Sequence, residues 1–273
     1  MWDREPHLSA VLAKESHSSQ TRRIPQHLLM ALSLMLVDRL SQDSKFSGVL
    51  MMIKLVTCLK RIPQMPPKAF QEYWRTKHAE IVRPLPGIRK YIQSHVLLNS
   101  YQKGQPIYDG VAEIWVDDTN TVRSFQDTPV MKNIQKDEPN FFLVKSSPLI
   151  ITEEYEIIAG PEKDKYIMII KFLKRKKGMP VEDFQAYWLN YHGPMVTVIP
   201  GIQRYVQSHT RLSGYRRSQP PAYDGVASYW FHDMRHIEEA KATTQYTAAY
   251  ADKKNFMELS ETSFILTQQH RII

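Results

Sequence analysis

One cysteine, Cys58, stands in a chain of 273 residues. A single thiol excludes an intramolecular disulfide framework and fits a reducing, cytoplasmic setting. Long apolar runs are also missing. The best candidate, residues 28–37 (LLMALSLMLV), is far short of the ~20 residues that span a bilayer, so no membrane partner is expected. The formal charge is +8, yet lysine and arginine are scattered, and beyond Lys174-Arg175-Lys176-Lys177 they form no block. A nucleic-acid partner would call for a gathered basic patch, so none is expected. Cofactor signatures are absent too: no G-x-G-x-x-G, G-x4-G-K-[ST], C-x-x-C, H-E-x-x-H or G-x-S-x-G occurs. No cofactor and no metal are therefore expected.

What is there is a repeat. Residues 70–95 (FQEYWRTKHAEIVRPLPGIRKYIQSH) and 184–209 (FQAYWLNYHGPMVTVIPGIQRYVQSH) align at an offset of 114 with 13 of 26 positions identical. Trp74/Trp188, His78/His192, Tyr91/Tyr205, Gln93/Gln207 and His95/His209 are among the shared positions. A repeat of this length means two copies of one unit. The first copy reads βαββαβ over residues 50–158, the second over 165–273, with residues 160–164 as linker. Residues 1–48 have no counterpart and read as a mostly disordered leader with a short helix. Phe70, Trp74 and His78 recur at helical spacing after Pro66-Pro67. Pro86-Gly87 ends that helix, and a strand follows with Tyr91, Gln93 and His95 on one face. Pro129 is expected to break or kink the later helix.

The W-x3-H helix, the Pro-Gly turn, the Y-x-Q-x-H strand and the Tyr-Asp-Gly-Val-Ala segment resemble the EthD family, named for a protein of ethyl tert-butyl ether degradation. The resemblance implies an α+β fold: two tandem ferredoxin-like βαββαβ units forming a dimeric α+β barrel within one chain, a pseudo-dimer. It also implies a place in small-molecule catabolism or secondary metabolism, with a family-level oxidoreductase association.

Imidazole, carboxylate, phenol and indole beside an apolar cleft suit proton transfer on a small apolar organic ligand. The candidate catalytic residues are His78, His95, Glu113, His192 and His209. Trp74, Tyr91, Gln93, Trp115, Trp188, Tyr205, Gln207 and Trp230 are the candidate ligand contacts. Each has a structural alternative: the histidines as hydrogen-bonded core, the tryptophans as packing, the Tyr and Gln pairs as a seal between sheets. The halves differ at Glu113, which becomes Ser228. If Glu113 reaches His78 or His95 it raises that imidazole's pKa, and the two clefts differ in chemistry. Two functions remain open. One is an enzyme, either oxidoreductase-associated or a cofactor-independent dehydratase, cyclase or isomerase. The other is a carrier that delivers a hydrophobic compound to a partner oxygenase.

Overall fold

A computed structural model describes residues 52–216 and 218–273; the leader expected over residues 1–48 lies outside the described residues. Strand β1 (Ile53–Leu59) leads through helix α1 (67–82) to β2 (Ile88–Val96) and β3 (Gly110–Val116). Helices α2 (Thr119–Ser124) and α3 (Pro129–Asp137) then precede β4 (Leu149–Ile158). The plan repeats as β5 (Ile167–Leu173), α4 (181–197), β6 (Ile202–Thr210) and β7 (Gly225–Phe231). It closes with α5 (Met234–Lys241), α6 (Thr244–Asp252) and β8 (Ser263–Arg271).

Local chemistry sets the boundaries. Pro67 sits in the first turn of α1, where its missing N–H costs nothing. Pro129 does the same for α3, and Thr128 caps that helix by accepting from Met131 N. The expected break at Pro129 is therefore a clean division into two helices. Gly87 and Gly201 turn the chain out of α1 and α4 with φ of 86° and 85°, a conformation that other residues resist.

The eight strands close into one barrel in the order β1-β3-β2-β8-β5-β7-β6-β4. Each half contributes four neighbouring strands, and the halves join edge to edge through antiparallel pairs β2–β8 and β4–β6. Closure leaves no open sheet edge. Helices cover the outside. Among the described residues, no helix is long and apolar enough to cross a membrane.

The barrel interior is filled by side chains from alternate strand positions, including Val56, Cys58, Met168, Phe172 and Trp230. The Tyr108 and Tyr223 hydroxyls meet at 2.7 Å across the approximate two-fold. The interior also holds charge. Lys54 Nζ lies 2.7 Å from Glu113 and 2.8 Å from Glu154, and Ser94 Oγ donates to Glu113 at 3.3 Å. Burial pulls the Lys54 ammonium toward neutrality, but the two carboxylates outweigh it and its pKa stands above the ordinary lysine value. The matching places in the second half are Met168, Ser228 and Gln269. There Trp230 Nε1 donates to Gln269 at 2.9 Å.

Candidate active site

The repeated tryptophan and histidine sit on a widened turn. In both copies the helix loosens to π geometry over Trp74–His78 and Trp188–His192. Such turns recur at functional sites. Here the sheet holds the turn open: Gln93 Nε2 donates to the Trp74 carbonyl at 2.9 Å, and Gln207 Nε2 to that of Trp188 at 3.0 Å. The glutamines also donate to the Tyr91 and Tyr205 hydroxyls, which accept from the Trp74 and Trp188 indoles at 3.1 and 3.0 Å. Each indole lies over a glycine. A Cβ on Gly110 would come within 2.5 Å of the Trp74 ring, and one on Gly225 would collide with Trp188.

His95 and His209 complete this scaffold. Their rings stack on Trp74 and Trp188 at 4.6 and 4.4 Å. Each Nε2 meets a glutamine oxygen, Gln93 Oε1 at 3.0 Å and Gln207 Oε1 at 2.8 Å. The oxygen can only accept, so Nε2–H donates. Burial holds both imidazoles neutral, with His209 pushed down to about 3.

His78 and His192 are arranged differently. Nδ1 of His78 lies 2.8 Å from Asp137 Oδ2, while Tyr73 and Asn140 donate to Oδ1 at 2.6 and 3.3 Å. Nδ1 of His192 stands 2.8 Å from Asp252, which Tyr187 and Asn255 serve at 2.7 and 2.9 Å. Burial pushes Asp137 upward, but the hydrogen bonds from Tyr73, His78 and Asn140 outweigh it, and the carboxyl stays below its usual range. At His78, by contrast, burial dominates and lowers the pKa despite the carboxylate. A neutral imidazole beside an ionised aspartate donates from Nδ1. Nε2 is then the basic nitrogen.

An apolar cavity of about 80 Å³ opens between α1, α3 and the outer face of the first half's sheet. His78, Trp74 and Tyr91 line it, with Glu138 and apolar side chains such as Ile114 and Met131. Glu138 is 5% exposed. Burial and then the charge of Asp137 push its pKa up to about 8. Its carboxyl is therefore protonated at neutral pH, a donor in apolar surroundings. Among the described residues neither that carboxyl nor the hydrogen of the Tyr91 hydroxyl has a hydrogen-bond acceptor or donor beyond those already named.

The second half has these positions filled. Thr57, Ile114, Met131 and Glu138 correspond to Lys171, Tyr229, Tyr246 and Lys253. The Tyr205 and Tyr229 rings stack at 4.5 Å where the first half is hollow.

Several expectations need correction. Glu113, Trp115 and Trp230 face the barrel interior, because Glu113 pairs across the sheet with Val56 and Ile92 rather than standing on the Tyr91 face. Glu113 meets Lys54 and neither histidine, so it raises no imidazole pKa. Tyr91, Gln93, Tyr205 and Gln207 bind helix to sheet and do not seal one sheet against another. Of the candidates, the cavity gathers His78, Trp74 and Tyr91. Sequence reasoning missed Glu138 and the aspartates. A signal was present: Tyr73, Asp137, Asn140 and Phe141 recur as Tyr187, Asp252, Asn255 and Phe256. Among the described residues, one group has side chains placed to hold an ion together, namely His232, Asp233 and His236. Asp233 there caps α5, accepting from His236 N at 3.1 Å, and lies outside the cavity lining.

A model of the EthD domain matches residues 62–143 and 176–260, together more than half of the chain. The chain belongs to the EthD family. It carries two EthD domains in tandem, each with one Asp-oriented histidine. No curated protein matches it. Among solved structures it is similar to an anthrone oxidase-like protein, at 10% identity and a TM-score of 0.59, over 82% of this chain and 94% of that one. A Fusobacterium nucleatum protein described as a putative monooxygenase is similar at 8% identity and a TM-score of 0.51, over 80% and 92%. An ethyl tert-butyl ether degradation family protein from Bacillus halodurans aligns at 28% identity over 38% of this chain and all of its own, with a TM-score of 0.31. The EthD fold here is thus shared with proteins of very different sequence.

Proposed function

We propose that the first EthD domain catalyses proton transfer at carbon next to a carbonyl, on a small apolar organic molecule held in the cavity. His78 Nε2 removes the proton. The C–H electron pair forms the carbon–carbon double bond, and the carbonyl π pair moves onto oxygen. The Glu138 carboxyl and the Tyr91 hydroxyl donate hydrogen bonds to that oxygen, and protonated His78 returns its proton to the same or a neighbouring carbon. A neutral carboxylic acid beside a tyrosine is a known way to stabilise an enolate oxygen. The observation that carries this reading is the convergence of His78 and protonated Glu138 on one apolar cavity. Both groups have pKa values displaced toward the form that the step needs.

The reading makes the protein an isomerase, dehydratase or cyclase by chemistry. An oxidative setting, in which this step prepares or completes an oxygenase's work, agrees with the names of the proteins sharing its fold. The test is incubation with a panel of small ketones and unsaturated ketones in D2O, without added cofactor, read by mass spectrometry. Deuterium entering next to the carbonyl, dependent on His78, is the expected result. Binding without exchange would instead identify a carrier.

A further inference from the structure

The turn from β7 into α5 carries two imidazoles around one carboxylate: His232, Asp233 and His236. Asp233 is the N-cap of α5, which fixes its side chain. Its Oδ1 accepts from His236 N at 3.1 Å and from His236 Nδ1 at 2.7 Å. His232 Nδ1 stands 3.7 Å from the other oxygen, Oδ2. One ligand atom from each of the three residues thus lies within 4.8 Å of the other two. Bonds of about 2.1 Å to a tetrahedral ion set such atoms about 3.4 Å apart. The measured 2.7 and 3.7 Å fall on either side of that spacing, so small rotations of the two rings reach it.

Capping does not account for the histidines. In the first half the same places hold Asp117, Asp118 and Thr121. There Asp118 caps α2 by accepting from the Thr121 N–H at 2.8 Å and its hydroxyl at 3.0 Å. Asp117 pairs with Arg89, whose counterpart in the second half is Gln203. The second half has therefore gained two imidazoles and lost a guanidinium at this turn, and both exchanges favour a cation. The positive end of the α5 dipole opposes one, and the Asp233 carboxylate offsets it. Arg235, two residues on, pairs with Glu239 at 2.7 Å.

We propose that His232, Asp233 and His236 form a binding site for a divalent transition-metal ion, with zinc the best match. Two imidazole nitrogens and a carboxylate oxygen suit zinc, cobalt or nickel, whereas calcium and magnesium take oxygen ligands. The ion takes the place of the proton between His236 and Asp233, and the imidazole then carries its proton on Nε2. Three protein ligands leave a further position to water. The ion ties the end of β7 to the first turn of α5, away from the cavity of the first half.

Cobalt(II) is the probe, because its visible absorption reports its coordination directly. The full chain, stripped with a chelator, is titrated with cobalt chloride in a non-coordinating buffer. One ion per chain should bind saturably at this turn, zinc should displace it, and excess calcium should not. His232→Ala and His236→Thr should each weaken binding tenfold or more. The threonine variant is safe for the fold, since it installs the residue that serves Asp118 in the first half. Zinc should also raise the midpoint of thermal unfolding of the natural protein more than that of His236→Thr. No saturable binding, binding that survives both substitutions, or displacement by calcium overturns the proposal.

Discussion

Glu138 and Lys253 hold the same position in the two halves, each directly following the aspartate that orients the helix histidine. One is a carboxyl kept protonated, and the other an amine with lowered proton affinity. The clefts are therefore chemically distinct, although the scaffolds around them agree in nearly every hydrogen bond.

The pH dependence of turnover follows from the pair in the first cleft. His78 must be neutral, and its lowered pKa places the rising limb below pH 6.5. Glu138 must be protonated, and the falling limb lies near its value of about 8. His78→Ala should lower kcat by roughly 10²–10⁴, whereas His192→Ala should leave most activity. Glu138→Gln keeps a donor without a titrating proton, so the alkaline limb should vanish while much of the rate remains. Equal losses in the two histidine variants would contradict a single working cleft.

Filling the first cavity should separate stability from activity. Ile114→Tyr introduces the side chain that Tyr229 places in the second half, facing Tyr91 as Tyr229 faces Tyr205. Thermal unfolding should be unchanged or shifted upward, while exchange into ketones falls at least tenfold. Undiminished turnover would mean that the reaction occurs elsewhere.

The charged cluster inside the barrel offers a transplant experiment. Lys54→Met alone strands Glu113 and Glu154, and breaking a buried pair this way costs about 3–5 kcal/mol. Combining it with Glu113→Ser and Glu154→Gln installs the second half's Met168, Ser228 and Gln269 pattern. The triple variant should recover the loss by chemical denaturation, because apolar or neutral replacement of a buried ion cluster is often neutral or better. A triple variant less stable than Lys54→Met would show that the cluster supplies net stability.

Acid sensitivity should arise in part from the scaffold histidines. Folded His209 has a pKa of about 3, against 6.5 for the free side chain, and His192 about 4. Between those values the unfolded chain binds more protons than the folded one. The stability tied to each histidine is thus fully present above pH 6.5 and falls at ~1.4 kcal/mol per unit as pH drops, to about 4 for His192 and about 3 for His209. His209→Phe keeps the stacking on Trp188 but leaves Gln207 Oε1 without its donor. It should be less stable than the natural protein at pH 7 and lose less on acidification to pH 4.5. Parallel pH–stability curves would remove His209 as a contributor.

Much of the fold was legible because periodicity and punctuation act locally. The helix start at Pro66-Pro67, an interruption at Pro129, the Gly87 turn and the face shared by Tyr91, Gln93 and His95 all follow from nearest neighbours in sequence. The loosened turn at Trp74 was not legible, since the side chain that holds it open, Gln93, comes from strand β2. Alternation puts Glu113 and Trp115 on one face, but only the register between β2 and β3 decides which face of the sheet that is. Asp137 and Glu138 escaped because they reach His78 and the cavity from a helix 59 residues later in the chain.

The linker at residues 160–164 has a consequence for descent. When two identical chains build such a barrel, one codon specifies a residue on both sides of the axis, so every substitution is made twice. A tyrosine that closes one cavity then closes both, and a lysine acquired by one cleft is imposed on the other. Joining duplicated copies into one reading frame removes that constraint. One copy can keep a hollow, acid-bearing cleft while the other accumulates amines and aromatic rings, with the shared barrel kept intact by both.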